Sequence, residues 1–359
     1  MNILVISRTR WSELPRIRHQ LALLLQKKGH QVTFIEKCDS FGRKVRFYES
    51  NGIVIARHAE LYHHQLKPFA LLQRIYSYYA MRGIKKIYNL KPYDLVVNFN
   101  YDYSFLAKAF PSSKVITLIN DDFEAQAKPW MKNAIKSQLA ATCVDSDAVL
   151  TVSIPLLNKL KEYTNNVELF FPWCDELYQK PNVSHSRDIV IYFGFINNRI
   201  DWDIVHQLLK RDVKLRFVGP INESEAKVKL DQFTEYSNFE YLTARNFQEL
   251  DLEDVCCSIA PYNINIESIK ACTVSNRAFR LLSKGIPVIY PDLPYIIKAP
   301  KEVISAAKNV EDYIELINFY RSNFENCQPM IEAFLPEHSA DVRYSQLLKT
   351  IDLATLPST

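Results

Sequence analysis

Three basic residues, Arg277, Arg280 and Lys284, recur at helical spacing in TVSNRAFRLLSKGIPVI, residues 273–289, just ahead of a Gly-x-Pro turn and a short apolar run. Ser275 or Thr273 can cap this helix, and Ala278, Phe279, Leu281 and Leu282 form its apolar stripe, which leaves the basic residues on another face. A helix start offers unpaired amides and a partial positive charge. Together with a guanidinium fork, these are the groups that hold a diphosphate. The same pattern also describes a solvated basic face.

Three further segments end in residues of similar promise. DIVIYFG closes on Gly194, with Asn197, Asn198 and Arg199 just beyond; VKLRFVGP ends on Gly219 and Pro220; VCCSIAPY ends on Pro261 and Tyr262, a ring that can stack on a base or simply pack. Asn120, Asp121 and Asp122 follow KVITLIN, where an aspartate can take a proton from a hydroxyl or cap the turn that begins FEAQA. Arg16, Arg18 and His19 lie near the first strand's loop, and His19 reads as a helix-surface residue. Between Glu60 and Asp94 no acidic residue occurs, while Lys67, Arg74, Arg82, Lys85, Lys86 and Lys91 alternate with Tyr62, Tyr76, Tyr78, Tyr79, Tyr88 and Tyr93. That composition suits an interfacial helix on anionic headgroups, or a helical pair with a solvated basic face.

The elements that must position these residues read as an α/β series. NILVIS, a helix with Ile17, Leu21, Leu24 and Leu25 on one face and a Lys27-Lys28-Gly29 stop, and QVTFIEK make a βαβ opening. Strands follow at 94–100, 114–120, 148–153 and 167–173. The polar stretch 179–187 then reads as a linker. The pattern restarts with strands at 188–196, 213–220 and 255–262, FEYLTA between the last two, and PVIYPD after the opening helix. A chain of 359 residues is too long for one ordinary core. The expectation is two Rossmann-like halves facing one another across a cleft, 1–180 and 187–335, with a helical segment 336–359 returning to the first; ligands belong at the C-terminal strand ends.

Composition narrows the function further. Hydrophobic residues at 48% and charged residues at 23% mark a packed globular chain, and a net charge of +4 is too small to imply a nucleic-acid partner. Only 7 glycines leave little room for glycine-rich phosphate loops, so phosphate binding falls to side chains and helix ends. The 7 cysteines include no Cys-x-x-Cys pair, which fits free thiols in a reducing compartment. No apolar run has signal-peptide or membrane-span length, which places the chain on the cytoplasmic side.

The order of YFGFINNRIDWDIV, LRFVGP, IAPY and LLSKGIPVI, with WSELPRIRHQLALLLQKKGHQV, INDDF and VLTVSIPLLNKL in the first half, resembles the GT-B glycosyltransferases of the family 4 type. The resemblance implies a nucleotide-sugar donor held by the second half, with Ser275, Asn276 and Arg277 at the diphosphate and Gly194, Asn197, Arg199, Gly219 and Tyr262 around it. The family's ribose-binding Glu falls at Arg280, which instead suits a phosphate or carboxylate contact. Asp121 or Asp122 would face the acceptor and serve as base if the reaction inverts, although the resemblance leans toward retention. Arg74, Arg82, Lys85 and Lys86 would contact an anionic membrane or a lipid-linked acceptor at the inner face of the cell membrane. No metal and no cofactor beyond the nucleotide-sugar substrate are expected; Asp201 and Asp203 have Asp-x-Asp spacing but read as a helix start. The implied setting is surface polysaccharide or glycolipid synthesis. A sugar-nucleotide epimerase of related architecture and a non-catalytic membrane-associated nucleotide- or glycan-binding protein are the alternatives.

Overall fold

In a computed structural model, the chain divides into two compact units, Met1–Phe171 with Arg343–Thr359, and Pro172–Val342. The structure describes residues 1–37, 45–58, 70–89, 91–182, 186–243 and 247–353. Glu60, Tyr62 and Lys67 of the basic, aromatic segment lie outside these residues, as does part of the polar stretch 179–187.

Unit 1 is built on an eight-stranded sheet. Its strands are β1 (Asn2–Ile6), β2 (Gln31–Ile35), β3 (Arg46–Ser50), β4 (Ile53–Arg57), β5 (Leu95–Asn98), β6 (Lys114–Ile119), β7 (Ala148–Thr151) and β8 (Val167–Leu169). They lie in the order β3-β4-β2-β1-β5-β6-β7-β8, and every described pair is parallel except β3–β4. Helices α1 (Ile17–Lys27), α2 (Ala70–Tyr88), α3 (Leu106–Ala109), α4 (Lys132–Val144) and α5 (Ile154–Leu160) connect the strands. A parallel sheet covered on both faces needs strands that are apolar throughout. Accordingly, Ile3, Leu4, Val5, Val96 and Val97 are wholly buried. The β3–β4 hairpin, absent from the strands read off the sequence, turns on Asn51 and Gly52 with φ of 52° and 71°. Positive φ at both central positions is the type I′ geometry for which Asn-Gly is the favoured pair.

His19 corrects the surface reading. It is buried, stacked on Phe34 and beside Trp11. Its Nδ1 accepts from the Arg16 amide at the start of α1, so the ring proton sits on Nε2, which donates to the Arg10 carbonyl. Burial lowers its pKa and keeps it neutral.

Unit 2 holds a six-stranded sheet of β9 (Ile189–Phe193), β10 (Lys214–Val218), β11 (Phe239–Leu242), β12 (Val255–Ile259), β13 (Val288–Pro291) and β14 (Ile304–Ala307). The order β11-β10-β9-β12-β13-β14, parallel throughout, is the doubly wound Rossmann arrangement, and strand order reverses between β9 and β12. Its helices are α6 (Trp202–Lys210), α7 (Ser224–Phe233), α8 (Glu267–Lys270), α9 (Asn276–Ser283) and α10 (Val310–Phe334); α11 (Ala340–Leu353) follows. Asp201 is the N-cap of α6, accepting from the Ile204 amide at 3.1 Å, with Asp203 in the first turn. From Arg343 onward α11 belongs to unit 1: Arg343 and Gln346 donate to the carbonyls of Phe171 and Leu169, and Leu347 is wholly buried.

Candidate functional site

The reversal between β9 and β12 opens a crevice at their carboxyl ends, the place where open α/β sheets bind ligands. Gly194 ends β9 with φ of 153°, and Gly219 ends β10 with φ of 152°. A Cβ on Gly194 would collide with the Arg277 guanidinium, and one on Gly219 would collide with the Gly194 carbonyl. The two glycines therefore let β10, β9 and the Arg277 side chain stack in direct contact.

Arg277 enters from the first turn of α9. Its Nη1 donates to the Tyr192 hydroxyl at 3.3 Å and to the Phe193 carbonyl at 3.4 Å, and its Nη2 donates to the Tyr262 hydroxyl. Both phenol rings also lie within 6 Å of its charge centre, at 5.8 and 5.7 Å. Burial works against the charge, the oxygens of Tyr262 and Tyr192 work for it, and the guanidinium stays above its ordinary value. Burial also drives the Tyr262 phenol well up, past the pull of Arg277, so it is neutral. Cys272 is pushed up to about 11 by burial, against the pull of Arg277 and Arg199, and is a neutral thiol near both. The edge thus carries two cations, Arg277 and Arg199, that form no ion pair among the described residues.

The other strand-end residues fall around this pair. The loops after β9 and β12 bridge at Ile200 and Tyr262, and Arg199 accepts from the Asn263 amide at 2.8 Å. Asn197 turns inward on its own loop, its Oδ1 taking the Arg199 amide at 3.1 Å. Ser275, at the N-cap of α9, bonds the Tyr290 hydroxyl through both its amide (3.0 Å) and its Oγ (2.8 Å). The Asn276 Oδ1 is buried without a partner. Tyr192 and Tyr290, which orient Arg277 and Ser275, gave no signal in sequence because each sits at a strand position that reads as core.

The basic residues of α9 have different surroundings. Arg280 is desolvated, and its charged neighbours are Asp175 and Glu176. Lys284 donates to Gln179 at 2.6 Å and pairs with Glu176 at 3.1 Å. Of the three, Arg277 is the one with hydrogen bonds at the end of β9 among the described residues; it lies in the first turn, and the other two lie further down the helix.

In unit 1 the corresponding reversal lies between β1 and β5. Beyond β1, Arg8 grips Asp102 in a bidentate pair at 2.7 and 2.9 Å. Arg18 reaches the same edge from α1, donating to Thr9 Oγ1 at 2.6 Å and, at the long limit of 3.5 Å, to Asn120 Oδ1. Asp121 accepts from Asn120 at 2.6 Å and Gln126 at 3.4 Å. Asp122 caps the following turn through the Ala125 amide and pairs with Lys159 at 2.9 Å. On α2, Tyr76, Ala80, Ile84 and Ile87 pack into the core, while Arg74, Ile75, Tyr78, Tyr79, Arg82, Lys85 and Lys86 are exposed. No helix among the described residues is long and apolar enough to cross a membrane, and no three His, Cys, Asp or Glu side chains gather there as a metal site.

No protein-family profile and no curated protein matches the chain in sequence. Solved structures match in fold. A sucrose-phosphate synthase from Thermosynechococcus elongatus superposes with a TM-score of 0.71 at 11% identity, over 99% of this chain and 100% of that one. Anabaena HepE in complex with UDP and glucose gives 0.71 at 10%, over 99% and 100%. The lipopolysaccharide outer core galactosyltransferase WaaB, in its apo form, gives 0.62 at 10%, over 98% and 99%. At such identities the likeness establishes the fold: GT-B, with two Rossmann-like α/β units in one chain.

Proposed function

We propose that the protein is a glycosyltransferase that moves a sugar from a nucleotide-sugar donor, bound in unit 2, to a glycan or lipid-linked acceptor. The observation that carries this reading is the Arg277 guanidinium at the β9/β12 crevice, seated on Gly194 and bonded only to neutral oxygens. An incoming diphosphate meets a charge that no carboxylate among the described residues pairs with. As the donor's glycosidic bond breaks, the negative charge that builds on the diphosphate meets a donor already in place, with no reorganisation cost. Arg199 and the amides at the start of α9 add to that field, and Tyr262 and Tyr192 hold the guanidinium in one orientation. The fold is shared with HepE, which was crystallised with UDP and glucose, so a uridine nucleotide is the first donor to test.

On the acceptor side Asp121 is the better base, should the reaction invert, because the Asp122 carboxylate is already committed to Lys159 and the Ala125 amide. Arg280, drawn to Asp175 and Glu176, takes no part in donor contact in this reading. The exposed face of α2 fits an anionic membrane at the cytoplasmic side, where a lipid-linked acceptor for surface polysaccharide or glycolipid synthesis would be met.

A thermal-shift screen with UDP, GDP, CMP and TDP tests the core of the proposal. One nucleotide at 100 times its Kd should stabilise the protein by about 2.7 kcal/mol. Arg277→Ala should weaken that binding by about 1.5–3 kcal/mol, the range for a hydrogen bond to a charged group. Silence from all four nucleotides would sink the reading, and epimerised donor formed without acceptor would replace it with an epimerase.

A further inference from the structure

We propose that unit 1 recognises a phosphate group on the acceptor, and that the guanidinium of Arg18, at the crevice outside β1 and β5, is the residue that binds it. The word acceptor rests on the transferase reading; the phosphate site does not.

Two arginines stand at this edge in opposite states. Arg8 is neutralised by Asp102, whose carboxylate is wholly buried, and it lies over the rings of Tyr76 and Tyr103. That pair is structural. Among the described residues Arg18 forms no ion pair. Thr9 Oγ1 takes one N–H at 2.6 Å, Asn120 Oδ1 holds another only loosely at 3.5 Å, and Nε is buried without a partner. Its planar group lies 5.7 Å from the Phe99 ring centre, on the first residue past β5. A guanidinium has five N–H donors, so most of this fork is unspent.

The nearby acids do not spend it either. Glu13 is held by Arg16 at 3.0 Å and by the Arg10 amide at 3.1 Å, and Asp121 by the amides of Asn120 and Gln126. Burial, opposed by Asp121, pulls the Arg18 guanidinium down to about 10, whereas Arg8 beside Asp102 is held above its ordinary value. One residue beyond Phe99, Asn100 is 4% exposed and its Nδ2 also has no partner. The β1–α1 connection carries Arg8, Arg10 and Arg16 against a single acid, Glu13, and Arg18 follows in the first turn of α1; Asp102 offsets Arg8, and Glu13 offsets Arg16. A phosphate dianion carries more charge and more acceptor oxygens than a carboxylate, and the bidentate fork of Arg18 suits them.

Free sugar phosphates and lipid-borne phosphates share this chemistry. Calorimetry on the full chain would compare inorganic phosphate, glucose 6-phosphate, glucuronate and glucose, together with vesicles containing phosphatidic acid. UDP at saturation, and a repeat in Arg277→Ala, keep unit 2 out of the signal. The expected result is binding of the phosphate-bearing probes, at least tenfold weaker in Arg18→Gln and partly kept in Arg18→Lys, with no response to glucose. With Arg82, Lys85 and Lys86 reversed to Glu to silence α2, a response to vesicles alone that is lost in Arg18→Gln would assign the phosphate to a lipid, and one that survives Arg18→Gln would overturn the proposal. Arg18→Gln removes a desolvated charge, so it should melt no lower than wild type. Should it misfold, NMR of the Arg18 Nε–H in the unsubstituted protein must shift on phosphate addition. Equal affinity in Arg18→Gln, glucuronate binding as tightly as glucose 6-phosphate, or no phosphate binding would each overturn the proposal. Phosphate binding through Arg18 in a protein that binds no nucleotide would instead overturn the transferase reading and leave this one standing.

Discussion

Gly194 and Arg277 should behave as one unit. A methyl group on Gly194 occupies the space of the guanidinium, so Gly194→Ala must push Arg277 off Tyr192 and the Phe193 carbonyl, besides straining a backbone at φ of 153°. Nucleotide binding should fall in Gly194→Ala by about as much as in Arg277→Ala. In the double variant the two losses should fail to add, with a coupling of about 0.5–3 kcal/mol, measurable by calorimetry on all four proteins. Additive losses would mean that the glycine serves the loop and not the arginine. Gly219 belongs to the same stack, since it makes room for the carbonyl of Gly194.

Among the elements, α2 makes the clearest separate prediction. Its inner face is spent on the core, and Gly83 lies so close to His58 that a Cβ there would sit 3.0 Å from the His58 Cβ. Its outer face is free to be changed. Reversing Arg82, Lys85 and Lys86 to Glu should leave the melting temperature close to wild type, because exposed substitutions away from special features usually cost within 0.5 kcal/mol each. Binding to vesicles rich in phosphatidylserine should weaken by roughly 1 kcal/mol for each basic charge lost, as seen by co-sedimentation. Equal binding by wild type and the triple variant would leave α2 as a solvated face. Helix α9 shows why spacing alone misleads. Arg277, Arg280 and Lys284 share a helical repeat, yet the sheet edge lies within reach of the first turn only, and the segment 175–179 draws the other two.

For the whole molecule, the allocation of α11 to unit 1 yields a test of how the chain is divided. Leu347 is wholly buried, so Leu347→Ala should cost about 2–5 kcal/mol, the range for a buried leucine truncation. Hydrogen exchange should show that loss in the amides of β5 to β7 and not in those of β9 to β13, while stabilisation by nucleotide persists. Faster exchange throughout would mean that the two units unfold as one.

The α/β class, the βαβ opening and the restart of the strand series were legible in the sequence. Parallel strands buried on both faces must be continuously apolar, and helix stops such as Lys27-Lys28-Gly29 are local signals. The β3–β4 hairpin carries an equally local signal in Asn51-Gly52, but its strands are short and β3 is largely exposed, so they lack the continuous apolar pattern that marks the others. Of the candidate site, the residue types at the strand ends could be read, because glycine, proline and arginine at such positions have few other uses. What only the tertiary structure decided is charge accounting. Among the described residues Arg277 and Arg18 form no ion pair, although Asp121 and Glu13 lie near Arg18, while Arg8 pairs with Asp102, Lys284 pairs with Glu176, and Arg280 lies near Asp175 and Glu176. Asp102, Asp175 and Glu176 are brought in by chain reversals that no spacing within a single helix encodes.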